Sequence, residues 1–162
     1  MHDSFDFDAY LTKNAAKLTH YCAAIVGCAD AEDTAQEAFV RLWQNLSRIP
    51  NETAADAFLY RTAYRLSVDM LRSRKRRQNA VTEAQREREV PASAELSEPV
   101  RRALMQLPPT DRAVLYSRVA EECGYDEIAA RFGKKETWAR KRYSLARKKL
   151  AEILGKEKED ER

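Results

Sequence analysis

The stretch YDEIAARFGKKETWARKRYSLARKKL, from Tyr125 to Leu150, decides how the C-terminal half of this chain folds. Ile128 gives a first helix its buried face, Ala129 is small where two helices must approach closely, and Gly133 permits the positive φ of a turn. Beyond the turn, Ala139, Tyr143, Ala146 and Leu150 recur at spacings of four, three and four, the inward face of a second helix expected from Glu136 to about Leu154. Opposite them lie Thr137, Arg140, Lys141, Ser144 and Lys148. A helix over Tyr125 to Phe132, a Gly turn and a second helix with a basic, short-polar outer face predict a helix-turn-helix. Such an outer face suits the major groove, where Arg or Lys bonds guanine edges. An ordinary helical hairpin is the plain alternative.

Upstream of this stretch, Val100, Ala103, Leu104 and Leu107 predict a short helix that stops at Pro108-Pro109. Thr110 to about Cys123 predicts another, carrying Val114, Leu115 and Val119. From Gln78 to Pro99 no apolar periodicity survives beyond a turn, and charges alternate around Pro91, Ala92, Ser93 and Ala94, which predicts a linker. Before the linker a long helix is expected from about Thr53 to Arg76, with Leu59, Ala63, Leu66 and Met70 on one side. On another side Arg61, Arg65, Arg72 and Arg76 fall within a sector of about 60° at roughly 100° per residue, a cationic stripe. Pro50 separates this helix from an earlier one that is expected to open on Asp30 as its cap, with Glu32 and Asp33 in the first turn. The buried stripe of that earlier helix reads Ala35, Phe39, Leu42 or Trp43, and Leu46, and its other face is acidic. A first helix is expected from Phe7 to about Cys28, followed by a break at Gly27-Cys28-Ala29-Asp30.

Only four Gly and five Pro occur in 162 residues, which favours an all-α fold over the frequent turns of an all-β one. The formal net charge of +3 hides a segregation. Residues 1 to 60 hold four Lys/Arg against nine Asp/Glu, residues 61 to 78 hold seven against one, and residues 131 to 149 hold nine against one. Two basic islands, each on a helical motif, are the electrostatic footprint of phosphate contacts at two places; a solvated helix face is the plain reading of either alone. No apolar run approaches the roughly 18 residues of a membrane span, and Met1-His2-Asp3-Ser4-Phe5-Asp6 has the wrong charge for a signal peptide. No membrane insertion and a cytoplasmic location are therefore expected. Cys22, Cys28 and Cys123 match neither a zinc ribbon nor a thioredoxin-like pair and are expected to be small core residues, with a redox-sensing pair of Cys22 and Cys28 as the alternative. With only His2 and His20, no phosphate-cradling glycine loop and no metal-ligand cluster, no catalytic residue, metal or cofactor is expected. A carboxylate-dependent nuclease is correspondingly disfavoured.

The run DAEDTAQEAFVRLW, Asp30 to Trp43, resembles the D-A-E-D-x-x-Q-E-x-F-x-R-x-W segment of region two in extracytoplasmic-function sigma factors of RNA polymerase. Phe58-Leu59-Tyr60-Arg61 and the run Asp69 to Arg77 are similar to the promoter-melting helix of the same region. Leu107-Pro108, Asp126-Glu127-Ile128-Ala129, Gly133 and Ala146-Arg147-Lys148-Lys149-Leu150 resemble region four. The resemblance spans roughly residues 8 to 154 and implies two small helical domains: region two over 1–77, a flexible linker over 78–98, region four over 99–154 and a charged tail over 155–162.

It also implies promoter-specific initiation of transcription without catalysis. The acidic helix would dock on the clamp helices of the core polymerase through Asp33, Gln36 and Glu37, while Phe39 and Trp43 belong to the core. Arg61, Arg65, Arg72 and Arg76 would contact phosphate at the minus-ten element, and Tyr60 or Tyr64 would stack on an unpaired base or simply pack. In region four, Arg140, Lys141 and Ser144 would read the minus-thirty-five element, with Lys135 and Thr137 beside them and Arg142, Arg147 and Lys148 on phosphate. The partners implied are core RNA polymerase, promoter DNA and an anti-sigma factor. Three departures stand out: Arg65 where an Asn is common, Lys134 and Lys135 in place of an apolar residue and a capping Ser, and Trp138-Ala139 in place of Thr-Val. Promoter preference is therefore not transferable, and the lost cap costs about 1 kcal/mol unless another group compensates. A helix-turn-helix regulator that never joins polymerase is the rival reading, and it leaves the Gln36-Glu37 helix unexplained.

Overall fold

The computed structural model describes residues 5–78 and 97–160; the expected linker lies almost wholly outside the described residues. Among the described residues there are seven α-helices, one 3-10 turn and no strand. The chain divides into two compact units, Met1–Pro91 and Ala92–Arg162.

In the first unit α1 (Phe7–Val26), α2 (Cys28–Gln44) and α3 (Glu52–Gln78) pack pairwise into a three-helix bundle, with the 3-10 turn Leu46–Arg48 between α2 and α3. Asp6 caps α1 by accepting from the Ala9 amide at 3.1 Å, and Asn51 caps α3 by accepting from the Ala54 amide at 2.9 Å. The core is built from Leu18, Tyr21, Cys22, Ile25, Ala35, Phe39, Leu42, Leu59 and Ala63. Polar links tie α1 to α3, among them the Tyr10 hydroxyl donating to Asp56 at 2.6 Å and Lys13 pairing with Glu52 at 2.8 Å.

The α1–α2 junction differs from expectation. A single residue, Gly27, separates the helices at φ 85° and ψ 170°, so α2 opens on Cys28 and Asp30 lies inside its first turn without capping it. Asp30 instead pairs with Arg74 of α3, which also donates to the Val26 carbonyl at 2.8 Å. Glycine can hold that backbone geometry, and the orphan carbonyls ending α1 need a donor; one arginine from α3 serves that end and the acid beside it.

In the second unit α4 (Glu98–Met105), α5 (Pro109–Val119), α6 (Tyr125–Phe132) and α7 (Glu136–Asp160) assemble around Val114, Cys123, Ile128, Ala129 and Ala139, with Tyr125, Phe132, Trp138 and Tyr143 packed against them. Pro109 starts α5, where its missing N–H costs nothing. Arg112 bonds the Met105 and Leu107 carbonyls, both at 2.8 Å, closing the end of α4. Gly133 is left-handed at φ 63°, ψ 35°, and the Lys134 amide returns to the Ala129 carbonyl at 2.9 Å, the turn expected between the two helices. Buried Arg131 joins Glu121 at 3.1 Å and the Ser117 hydroxyl at 2.9 Å.

Two expectations here are corrected. Val119 ends α5 at 61% exposed, because the chain turns away just beyond it through Glu122 at φ 54°. The segment after Leu154 continues α7 to Asp160: its Lys and Glu residues are good helix formers, and Gln106, just past the end of α4, donates to Glu157 at 3.4 Å. Cys22 and Cys123 are buried and Cys28 is half-buried; Cys22 and Cys28 belong to different helices.

Candidate nucleic-acid interface

Three surfaces carry the residues singled out by sequence, two on the first unit and one on the second. On α2 the rows Ala31, Thr34, Ala35, Ala38, Phe39 and Leu42 are buried, so Asp33, Gln36 and Glu37 face outward together. Gln36 donates to Glu32 at 3.4 Å, and Glu37 holds Arg41 at 3.3 Å one turn on. Trp43 corrects its assignment to the core. Neighbouring helical residues point about 100° apart, Leu42 takes the inward direction, and Trp43 stands 59% exposed with its ring edge-on to Phe7 at 5.1 Å. Between α1 and α2 runs an apolar groove of about 800 Å³, walled by Phe7, Leu11, Phe39, Val40 and Trp43, with His20, Glu32 and Gln36 on its rim. The sequence reading missed this groove. Its signal was Val40 and Trp43, two large apolar residues three apart and off the buried row.

On α3 the cationic stripe forms. Arg65, Arg72 and Arg76 are exposed and Arg61 is half-buried. The two tyrosines part company: Tyr60 is 3% exposed, its ring edge-on to Tyr21 at 4.8 Å, which overturns base stacking for it, whereas Tyr64 is half-buried. A residue one position from Arg61 lies about 100° around the helix, which turns Tyr60 into the bundle. Arg74 belongs to the same basic run but sits about 220° around from Arg61, on the core-facing side, where Asp30 and the Val26 carbonyl hold it.

On α7 the inward residues Ala139 and Ala146 are fully buried, with Tyr143 and Leu150 half-buried. Lys135, Thr137, Arg140, Lys141, Ser144, Arg147 and Lys148 are all exposed. The island splits by direction. Thr137, Lys141, Ser144 and Lys148 point within about 60° of one another, away from the bundle, while Arg140 and Arg147 lie on one flank and Arg142 and Lys149 on the other. Arg140 is braced by Glu136 at 2.8 Å and lies over the Tyr125 ring at 4.6 Å, the same ring that carries Arg118 at 4.2 Å. On the opposite flank Asp111 of α5 faces Lys149 at 3.2 Å and Arg142 at 3.7 Å. Arg142 is thus directed at a carboxylate within its own unit. Asp111 and Tyr125 escaped the sequence reading because neither shares a helix with the groups it touches. Among the described residues no group of three His, Cys, Asp or Glu could hold a metal ion, and no helix is long and apolar enough to cross a membrane.

Residues 5–77 match the family model for Sigma-70 region 2, and residues 97–150 match that for Sigma-70 region 4. Among solved structures, the sigma factor RpoE from Bartonella quintana, in complex with the anti-sigma factor NepR, is similar at a TM-score of 0.74 and 21% identity. The match covers 93% of this chain and 97% of that one, a likeness of fold. No curated protein sequence matches the chain.

Proposed function

Because this chain belongs to the sigma-70 family of RNA polymerase sigma factors, carrying region 2 and then region 4, we propose that it acts as an extracytoplasmic-function member: it docks on core polymerase in the cytoplasm, recognises a promoter at two elements and performs no covalent chemistry. The observation that carries this reading is the separation of charge by surface. One bundle presents an acidic face on α2 and a cationic stripe on α3, and the other unit presents a basic, short-polar face on α7.

In this reading Asp33, Gln36 and Glu37 meet the polymerase clamp. Arg61, Arg65, Arg72 and Arg76 hold phosphate around the minus-ten element, with Tyr64 available to stack on a base. Thr137, Arg140, Lys141 and Ser144 read the minus-thirty-five element, while Lys135, Arg147 and Lys148 bind phosphate. Region 2 falls within residues 5–77 and region 4 within residues 97–150, with the last helix of the second unit continuing to Asp160. An anti-sigma factor is the expected regulator, as NepR is the partner of RpoE in that complex.

Run-off transcription with purified core enzyme over a promoter library tests the reading directly. Defined start sites that depend on the chain are expected. Failure to associate with core enzyme, together with sequence-specific binding to duplex alone, would transfer the chain to the class of regulators that act without joining polymerase.

A further inference from the structure

Asp111 is 1% exposed, yet it sits on the first turn of α5 facing the flank of α7. Its Oδ2 lies 3.2 Å from the Lys149 ammonium and its Oδ1 3.7 Å from the Arg142 guanidinium. The two cations keep about half and about a third of their side-chain surface in solvent, so the carboxylate is inside and its partners reach in from the rim. A buried carboxylate stripped of its counter-charges is strongly unfavourable, so it holds them. A carboxylate with two oxygens, each turned to a different cation, offers those cations what a DNA phosphate would.

We propose that Asp111 is a positioning residue for the DNA-reading helix: its buried carboxylate takes the place of a phosphate for Lys149 and Arg142, withholding both from the nucleic-acid backbone. The inference rests on the reading of α7 as the minus-thirty-five helix. Its consequence is selectivity. Phosphate contacts add affinity for every sequence alike, so engaging two of the cations internally lowers binding to unrelated duplex and leaves the base-reading residues Thr137, Lys141 and Ser144 with a larger share of the total. The nine cations of residues 131–149 therefore overstate the charge offered to DNA, since Arg131 is also spent on Glu121 and Ser117.

The test is the salt dependence of binding of the full chain to a short random-sequence duplex, comparing Lys149→Gln with Lys148→Gln. Each phosphate contact contributes about 0.9 to the slope of log affinity against log salt concentration, or roughly 3.5-fold in affinity over a fourfold change in salt. Lys148→Gln is expected to flatten the slope by about that amount and Lys149→Gln to leave it unchanged. Asp111→Asn is expected to steepen it by about 0.9 for each cation released, and adding Lys149→Gln to it should remove the share due to that lysine. Equal flattening by Lys148→Gln and Lys149→Gln overturns the proposal, and this comparison stands even where Asp111→Asn does not fold. If neither lysine variant alters the slope, the DNA-facing assignment of α7 fails, and the proposal with it.

Discussion

Arg72 and Arg74 are two residues apart in one basic run, and the fold gives them opposite work. Arg72 is exposed beside Asp69 at 3.9 Å, a contact worth little on an open surface. Arg74 closes the α1–α2 junction through Asp30 and the Val26 carbonyl. Arg74→Ala is therefore expected to lower stability by about 1–3 kcal/mol, since it strands a half-buried acid and a helix-end carbonyl. Arg72→Ala should leave the melting temperature unmoved while weakening DNA binding; thermal unfolding of both variants distinguishes the roles. A second residue-scale prediction concerns Lys135, which precedes α7 where the family carries a capping Ser. Its carbonyl accepts from the Trp138 and Ala139 amides at 3.0 and 3.3 Å, but an ammonium side chain has no acceptor to offer the free amides. Lys135→Ser should stabilise the chain by about 0.5–1 kcal/mol in denaturant titrations and weaken DNA binding, because the cation goes with it. The sign of that cap was legible from the sequence. The division between Arg72 and Arg74 was not, since it depends on an acid 44 residues earlier.

At the scale of elements, every expected helix is present, and those with strong punctuation came out closest. Tyr125–Phe132 and the Glu136 start are as read, because Gly133 and the three-and-four spacing leave little freedom. The α1–α2 break was placed too late because Asp30 has the chemistry of a cap, whereas a lone glycine at positive φ needs no side chain to end one helix and begin the next. Periodicity could not choose between Leu42 and Trp43, and packing did. Leu42→Ala is expected to cost about 2–5 kcal/mol as a cavity forms, whereas Trp43→Ala should cost no more than about 1.5 kcal/mol, the scale of its contact with Phe7. If Trp43 is a partner contact, its variant should lower affinity for core polymerase at unchanged fold, as measured by pull-down and circular dichroism together. The start of α4 carries a pH signature. Arg101 bonds the Glu98 carboxylate at 2.9 Å and holds it below the usual carboxylate range, so its contribution is present above about pH 4.3 and is lost as the pH falls through its folded value. Amide chemical shifts of that turn should move on acidification in the native chain and stay still in Glu98→Gln.

For the whole molecule, the partition of charge along the chain was visible in its residue counts, and the all-α architecture followed from sparse Gly and Pro. What lay beyond reach were contacts between residues on different helices: Asp111 with Lys149, Arg140 with Tyr125, and the apolar groove between α1 and α2. The two surfaces proposed to meet DNA lead to different expectations for transcription. If Arg140 reads a base as proposed, Arg140→Ala should weaken one class of promoters selectively, whereas Arg72→Ala should weaken all of them by a similar factor. Equal losses for both variants on matched and mismatched promoters, in a reporter assay, would refute that division. Gly27 carries a last implication for how such a surface evolves. The helices walling the groove meet at this one residue, so their angle depends on the joint as well as on the packed side chains. An alanine there would meet no neighbour within 4 Å, yet would strain the backbone by about 1–3 kcal/mol. Relief of that strain would shift one wall against the other, so a single change outside the groove would alter its width while every side chain lining it stays the same.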